Sequence, residues 1–226
     1  ATEITSVADD IEKTLSNQLD ATKRKNLTKK REALRDAVQA LLEHVKSPEL
    51  ILATTGTTSS GKSTLANFLI GDNLLPSASQ EMSAGLVTVR HHDQRHTLKI
   101  ASTRGAKWAT GKWDNLSVEE LRHRLEKTME QFRAAAEKNP SIEVIHFEIE
   151  WPIRLAGEKA RFGLPEGTRI TILDLPGLKT MNDERNGPII RKNITQALCL
   201  VAYNAEDPDD KKQKELLNQV INQVTS

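Results

Sequence analysis

The sequence predicts an α/β fold, a central and mostly parallel sheet flanked by helices, with a helical segment at the N-terminus. Three observations predict it. The apolar run Leu50-Ile51-Leu52-Ala53-Thr54-Thr55, rich in β-formers, leads through a glycine-bounded loop into a stretch of helical spacing over residues 64–70. A second strand-like run, Arg169-Ile170-Thr171-Ile172-Leu173, ends in Asp174-Leu175-Pro176-Gly177, which puts a carboxylate at a strand's carboxyl end. Residues 1–47 contain neither glycine nor proline and repeat apolar residues three and four apart, the pattern of an amphipathic helix.

Within that first segment the apolar positions are Ile4, Val7, Ile11, Leu15 and Leu19, then Leu27, Leu34, Val38, Leu41, Leu42 and Val45. They predict one long helix, or two with a break near Asn17 or Asn26. The apolar stripe needs a partner: the domain that follows, a C-terminal helix, or another chain. Lys23-Arg24-Lys25 and Lys29-Lys30-Arg31 read either as a patch for anionic lipid or nucleic acid, or as a solvated helix face near a domain junction. The second reading is preferred, because charge runs on helices commonly serve solubility. No aromatic residue interleaves the cations, so no nucleic-acid partner is expected.

Gly56-Thr57-Thr58-Ser59-Ser60-Gly61-Lys62-Ser63 fits the P-loop pattern between strand and helix. Glycines let successive N–H groups turn inward, and the helix that follows adds its positive N-terminal end, so the main chain binds phosphate. Gly56, Ser59, Ser60, Gly61, Lys62, Ser63 and Thr64 are the expected nucleotide-binding residues. Lys62 would reach the β- and γ-phosphates, and the Ser63 hydroxyl would ligate Mg²⁺. A chance glycine-rich turn is the competing reading; the strand before and the helix after weigh against it.

Past the stop expected at Gly71, Met82-Ser83-Ala84-Gly85 precedes the strand-like Leu86-Val87-Thr88-Val89-Arg90 and is placed like a switch loop. Ser83 is the candidate hydroxyl for the Mg²⁺ shell, with Thr88 as second choice. His91-His92-Asp93-Gln94 reads as a hairpin turn before Thr97-Leu98-Lys99-Ile100. No cysteine or carboxylate cluster of suitable spacing accompanies His91, His92 and His96, which are expected to be exposed turn residues rather than metal ligands.

Residues 102–142 read as an insertion. Trp108 and Trp113 are expected to anchor it, and Ser117-Val118-Glu119-Glu120 is a capping box opening a helix through Leu121, Leu125, Met129 and Phe132 that stops near Asn139-Pro140. Residues 144–151 alternate apolar and polar like a strand at the sheet edge, ended by Pro152. At the second site motif, Asp174 is the expected Mg²⁺-facing carboxylate, and Gly177 would offer its N–H to a γ-phosphate. Residues 178–191 read as a polar second switch, residues 197–203 as a buried strand, and residues 211–224 as a helix begun by Asp207-Pro208-Asp209-Asp210. The domain boundaries expected are a helical segment over 1–48 and a nucleotide-binding domain over 49–226.

Composition bounds the rest. The 226 residues carry 32 basic and 31 acidic side chains, a net charge of +1, which gives no global bias toward polyanions. The single cysteine, Cys199, excludes an internal disulfide framework and a cysteine-based zinc site, and a buried reduced thiol suits a cytoplasmic protein. No run approaches a membrane span, and no signal peptide is visible at Ala1. The opening residue is not methionine, so the chain is expected to be part of a longer one.

Gly56-Thr57-Thr58-Ser59-Ser60-Gly61-Lys62-Ser63-Thr64, Leu74-Leu75-Pro76, Met82-Ser83-Ala84 and Leu173-Asp174-Leu175-Pro176-Gly177-Leu178 together resemble the GTPase domain of the dynamin superfamily, in its bacterial dynamin-like branch. The proline within the aspartate motif and the insertion before it are similar to that family rather than to small GTPases. The resemblance implies GTP/GDP and Mg²⁺ as ligands, hydrolysis coupled to dimerisation of GTPase domains, an N-terminal helix that joins a bundle or neck, and membrane remodelling with peripheral membrane contact. It assigns Ser83 to the position of the family's switch threonine and Thr58 to that of the glutamine that helps place water in animal dynamins, so Lys62, Ser83 and Thr58 are the expected catalytic residues, and Ser63, Ser83 and Asp174 the expected metal ligands. The guanine-reading Thr/Asn-Lys-x-Asp motif is not found in the sequence and is expected after residue 226. Two alternatives stand beside a GTPase: a nucleotide-gated interaction module with negligible turnover, and a P-loop ATPase.

Overall fold

The computed structural model describes residues 21–46, 48–56, 59–76, 85–103, 107–139, 142–177, 186–194, 196–202, 214 and 218. Thr57, Thr58, Ser83, both loop segments read as switches up to residue 185, residues 1–20 and nearly all of the expected helix over 211–224 lie outside them. Two units divide the chain, Ala1–Glu49 and Leu50–Ser226. The first contains helix α1, Ala21–Lys46, which runs unbroken through Asn26, where a break was one expectation. Twenty-six residues of α-helix span about 39 Å.

The second unit is built on a seven-stranded mixed sheet: β1 (Glu49–Gly56), β2 (Leu86–His91), β3 (Thr97–Ile100), β4 (Gly111–Trp113), β5 (His146–Trp151), β6 (Arg169–Asp174) and β7 (Leu198–Ala202) in the spatial order β4-β3-β5-β2-β6-β1-β7. β1 pairs parallel with β7, and β2 parallel with β5. β2 runs antiparallel to β6, and β3 antiparallel to both β4 and β5. Helices α2 (Lys62–Ile70), α3 (Val118–Lys138), α4 (Arg154–Gly157) and α5 (Asn186–Ile194) connect the strands, with one 3₁₀ turn at Lys159–Phe162.

Three sequence expectations are corrected by this order. β5 is an interior strand between β3 and β2, not an edge. For the same reason the turn at residues 91–94 closes no hairpin, because β5 separates β2 from β3. β7 ends the sheet among the described residues, and Leu198 on it is 60% exposed, so the apolar run is an edge strand there rather than a buried one.

Period-two alternation decides which face each side chain takes. On one face Val87, Val89, Leu98, Ile100, Phe147, Ile149, Trp151, Ile170 and Ile172 join Ala66 and Ile70 of α2 and Leu121, Leu125, Met129 and Phe132 of α3 in the main core. Trp108 lies in that same core, its ring edge-on to Phe132 with centroids 5.7 Å apart. The helix of the expected insertion thus packs into the main core. The capping box is formed, with Ser117 Oγ accepting from Glu120 N–H and Glu120 accepting from Ser117 N–H. On the opposite face a smaller cluster joins Ala53, Leu173 and Leu175 to Ile190 and Ile194 of α5. Beside it Lys99 and Arg90 both reach Glu148, at 2.8 and 3.1 Å, and Arg95 reaches Glu150. These exposed pairs neutralise the ladder and contribute little stability.

Candidate functional site

β1 and β6 lie side by side, Leu175 N–H donating to Thr54 C=O at 3.1 Å, which brings the carboxyl ends of the two site-bearing strands together. Gly56 ends β1 at φ 138, and a Cβ there would stand 2.1 Å from the Ala202 carbonyl oxygen. Only glycine lets the chain leave β1 so close to β7. Ser59 at φ 61 and Gly61 at φ 86 are also left-handed, and the chain reverses through them into α2. Gly61 is the N-cap of α2 and accepts the first helical bond from Leu65 N–H at 2.9 Å. No side chain caps this helix, in contrast to the boxed start of α3. A helix that starts from a glycine, with no N-cap side chain to accept from its first N–H groups, suits an anionic ligand.

Two elements, β1 and α2, converge on Asp174 at the end of β6. Ser63 Oγ, in the first turn of α2, donates to Asp174 Oδ2 at 2.7 Å. Thr54 Oγ1, on β1, donates to Asp174 Oδ1 at 2.8 Å, and its contact to Leu173 C=O is longer, at 3.3 Å. One hydroxyl carries one proton, and the shorter, charge-assisted bond takes it. Lys62 and Asp174 are both buried. Burial pushes the Asp174 carboxyl up from its ordinary value, against the hydrogen bonds from Ser63 and Thr54 and the charge of Lys62. Burial pulls the Lys62 ammonium down, against the charge of Asp174. The two are each other's countercharge, and each holds the other toward its ionised form.

Sequence reasoning placed Lys62, Ser63, Asp174 and the glycines here, and the structure brings Ser63 and Asp174 into contact, with Lys62 beside them. Gly177 follows Asp174 at the same end of β6 and is buried. Thr88, the second candidate for the switch hydroxyl, is bonded instead to the His146 ring at 2.8 Å, on the strand pair β2–β5. Thr54 was missed; it reads as an ordinary β-former until β6 is known to lie beside β1. Nor are the histidines of the expected exposed turn idle: His91 Nδ1 accepts from Ile153 N–H at 3.0 Å, and the His96 ring stacks on Trp151 with centroids 4.2 Å apart. Among the described residues no group of three or more ligating side chains could hold a metal ion by itself.

Mg²⁺ is the metal that a P-loop implies, and the donor set fits it. Ser63 Oγ and Asp174 Oδ2 are hard oxygen ligands already 2.7 Å apart, and a small octahedral cation that takes one or two protein oxygens and completes its shell with water and phosphate needs no larger protein cluster.

The sequence model of the dynamin family matches residues 52–223. No curated protein matches the chain. Two solved chains, both from an oligomerised bacterial dynamin pair described as a mechanism for long-range sensing and tethering of membranes, resemble it with TM-scores of 0.45 and 0.41 and 19% and 17% identity. Each comparison covers 83% of this chain and 25% of the solved one, so the chain spans about a quarter of their length.

Proposed function

The chain belongs to the dynamin family, and on that premise we propose that it is the nucleotide-binding part of a GTPase that binds GTP and GDP with Mg²⁺ and hydrolyses GTP. The observation that carries the proposal is the bonded set Thr54–Asp174–Ser63 with Lys62 buried beside it, at the start of an uncapped helix. The P-loop amides and Lys62 would bind the β- and γ-phosphates and hold the charge that builds on them during phosphoryl transfer. Ser63 and Asp174 would hold Mg²⁺, which supplies positive charge next to those phosphates when bound. The Gly177 N–H would meet the γ-phosphate from the end of β6, and Ser83 and Thr58 would complete the shell and place the attacking water. This chemistry depends on positioning and charge more than on a general base, and the described residues of the site offer none. In the intact protein, we propose, nucleotide drives pairing of GTPase domains, the 1–48 segment acts as a neck, and the protein works from the cytoplasm as a peripheral membrane protein. Among the described residues no helix is long and apolar enough to cross a membrane.

Calorimetric titration with GDP, a GTP analogue, ADP and an ATP analogue in Mg²⁺, with Lys62→Ala alongside, tests this. Guanine nucleotides are expected to bind and adenine nucleotides not, and Lys62→Ala should weaken triphosphate binding at least about tenfold, the worth of one charge-assisted contact. Adenine binding would turn the reading to an ATPase, and binding indifferent to Lys62→Ala would remove the P-loop from the argument.

A further inference from the structure

Thr55 is buried as completely as Thr54, at 0% exposed, yet its hydroxyl has no hydrogen-bond partner. A valine would fill the same volume without leaving a polar atom unpaired, and most buried hydroxyls do find a partner. Thr55 stands immediately before Gly56, where β1 opens into the loop that leads to Lys62 and Ser63.

The side it faces follows from alternation. Ala53 packs in one cluster with Leu175, Ile190 and Ile194, and Thr55, two residues on, takes that same face beside Val201, its partner in register on β7. α5 covers this face. The chain leaves β6 at its carboxyl end and enters β7 at Leu198, soon after α5 stops at Ile194, so α5 runs back along the sheet with its first turn at the carboxyl end. One helical turn back from Ile190 rises about 5.4 Å, close to the roughly 6.6 Å from Ala53 to Thr55, which sets the start of α5 level with the hydroxyl. In that turn the N–H groups of Asn186 and Gly187 have no acceptor within the helix, and Pro188 has no N–H to place.

We propose that Thr55 is a positioning residue for the triphosphate, its Oγ1 accepting a hydrogen bond from the first turn of α5 when a γ-phosphate is bound and not when a diphosphate is. The inference rests on the GTPase reading. A γ-phosphate that takes the Gly177 N–H draws the end of β6 toward Gly56, and the chain from Gly177 leads into α5, so the helix start moves with it toward Thr55. Because the hydroxyl begins without a partner, the new bond favours the triphosphate form alone.

The test is calorimetric titration with GDP and with a non-hydrolysable GTP analogue in Mg²⁺, for the native protein, Thr55→Val and Thr55→Ser. Thr55→Val should bind the analogue at least about fivefold more weakly and GDP within about twofold, whereas Thr55→Ser, which keeps the hydroxyl, should bind both within about twofold of native. Without nucleotide, Thr55→Val should melt about 2–6 °C higher, because it removes an unpaired buried hydroxyl. Amide exchange reads the helix itself: the N–H groups of Asn186 and Gly187 should exchange more slowly with the analogue than with GDP in the native protein and Thr55→Ser, and equally in Thr55→Val. A Thr55→Val protein that melts no higher than native overturns the proposal, since the hydroxyl would then already be bonded, to a buried water or to protein. So does an equal loss for GDP and analogue, or no loss for either. A native protein that binds neither nucleotide is a different result, seen before any variant is made, and it removes the GTPase reading and this inference together.

Discussion

Thr54→Val removes one hydroxyl and keeps the shape of the side chain, so it isolates the bond to Asp174 Oδ1. The acceptor is a buried carboxylate and the bond is charge-assisted, a class worth about 1.5–3 kcal/mol. Valine leaves Oδ1 without that donor, so a loss of about 2 kcal/mol is expected where the carboxylate is ionised, or about 4–8 °C in melting temperature for a unit of this size. The sign of the pH dependence follows from linkage. The folded Asp174 carboxyl is already raised by burial, and losing a donor that pulls it down raises it further. Over the range in which the variant's carboxyl holds a proton that the native one has released, the native protein gains on the variant as pH rises. The deficit should therefore grow as pH rises and shrink as pH falls and both carboxyls protonate. Urea unfolding at a series of pH values measures it, with Thr54→Ser as the variant that keeps the hydroxyl. A Thr54→Val protein as stable as the native one, or a deficit independent of pH, would refute the view that β1 holds the ionised carboxylate in place.

Gly56→Ala should be among the most destabilising small substitutions, at about 3 kcal/mol, because the new Cβ meets the Ala202 carbonyl oxygen at 2.1 Å and φ is 138; thermal unfolding checks it. Phe132→Ala should cost about 3–5 kcal/mol, since it empties a core position and strips Trp108 of its edge-on partner, and quenching or shift of tryptophan emission would report the loosened contact. His146 is held below its ordinary value first by burial, with Arg90, Lys99 and Lys192 adding to the shift and Glu148 opposing it. Its folded value being lowered, stability should fall as pH drops below about 6.5, where the unfolded chain takes up the proton first, and His146→Gln should flatten that slope in unfolding measured between pH 7.5 and 5.5.

What the sequence disclosed about the site followed from residue order along short segments. The glycines, Lys62 and Ser63 are contiguous, and Asp174 ends a visible strand, so their place in the fold was legible without any knowledge of strand neighbours. Thr54 was not, because its meaning depends on β1 lying beside β6, 120 residues away along the chain. β5 shows a different limit. Its alternation is real, with Phe147, Ile149 and Trp151 in the core and Glu148 and Glu150 on the ladder. An interior strand with one open polar face alternates as an edge strand does, so the pattern carries no information about position in the sheet. β4, at three residues, is too short for any period to show. The apolar run at β7 predicted burial on both faces, whereas Leu198 on it is 60% exposed and β7 has one strand neighbour among the described residues.

The same dependence on neighbours governs the charge state of Asp174. Its three partners come from β1 and from two consecutive residues at the start of α2, so its ionised form, which burial disfavours, is supported only while those elements keep their alignment. A slip of β1 against β6 removes the Thr54 bond, and a shift of α2 removes Ser63 and Lys62 together. Either change leaves a buried carboxylate with too few donors, and the carboxyl answers by taking a proton. A protonated Asp174 is a poor ligand for a divalent cation and no countercharge for Lys62. The packing that builds the sheet and the charge state that a nucleotide site requires are therefore one condition, and Thr54→Val and Gly56→Ala should weaken Mg²⁺-dependent nucleotide binding as well as stability.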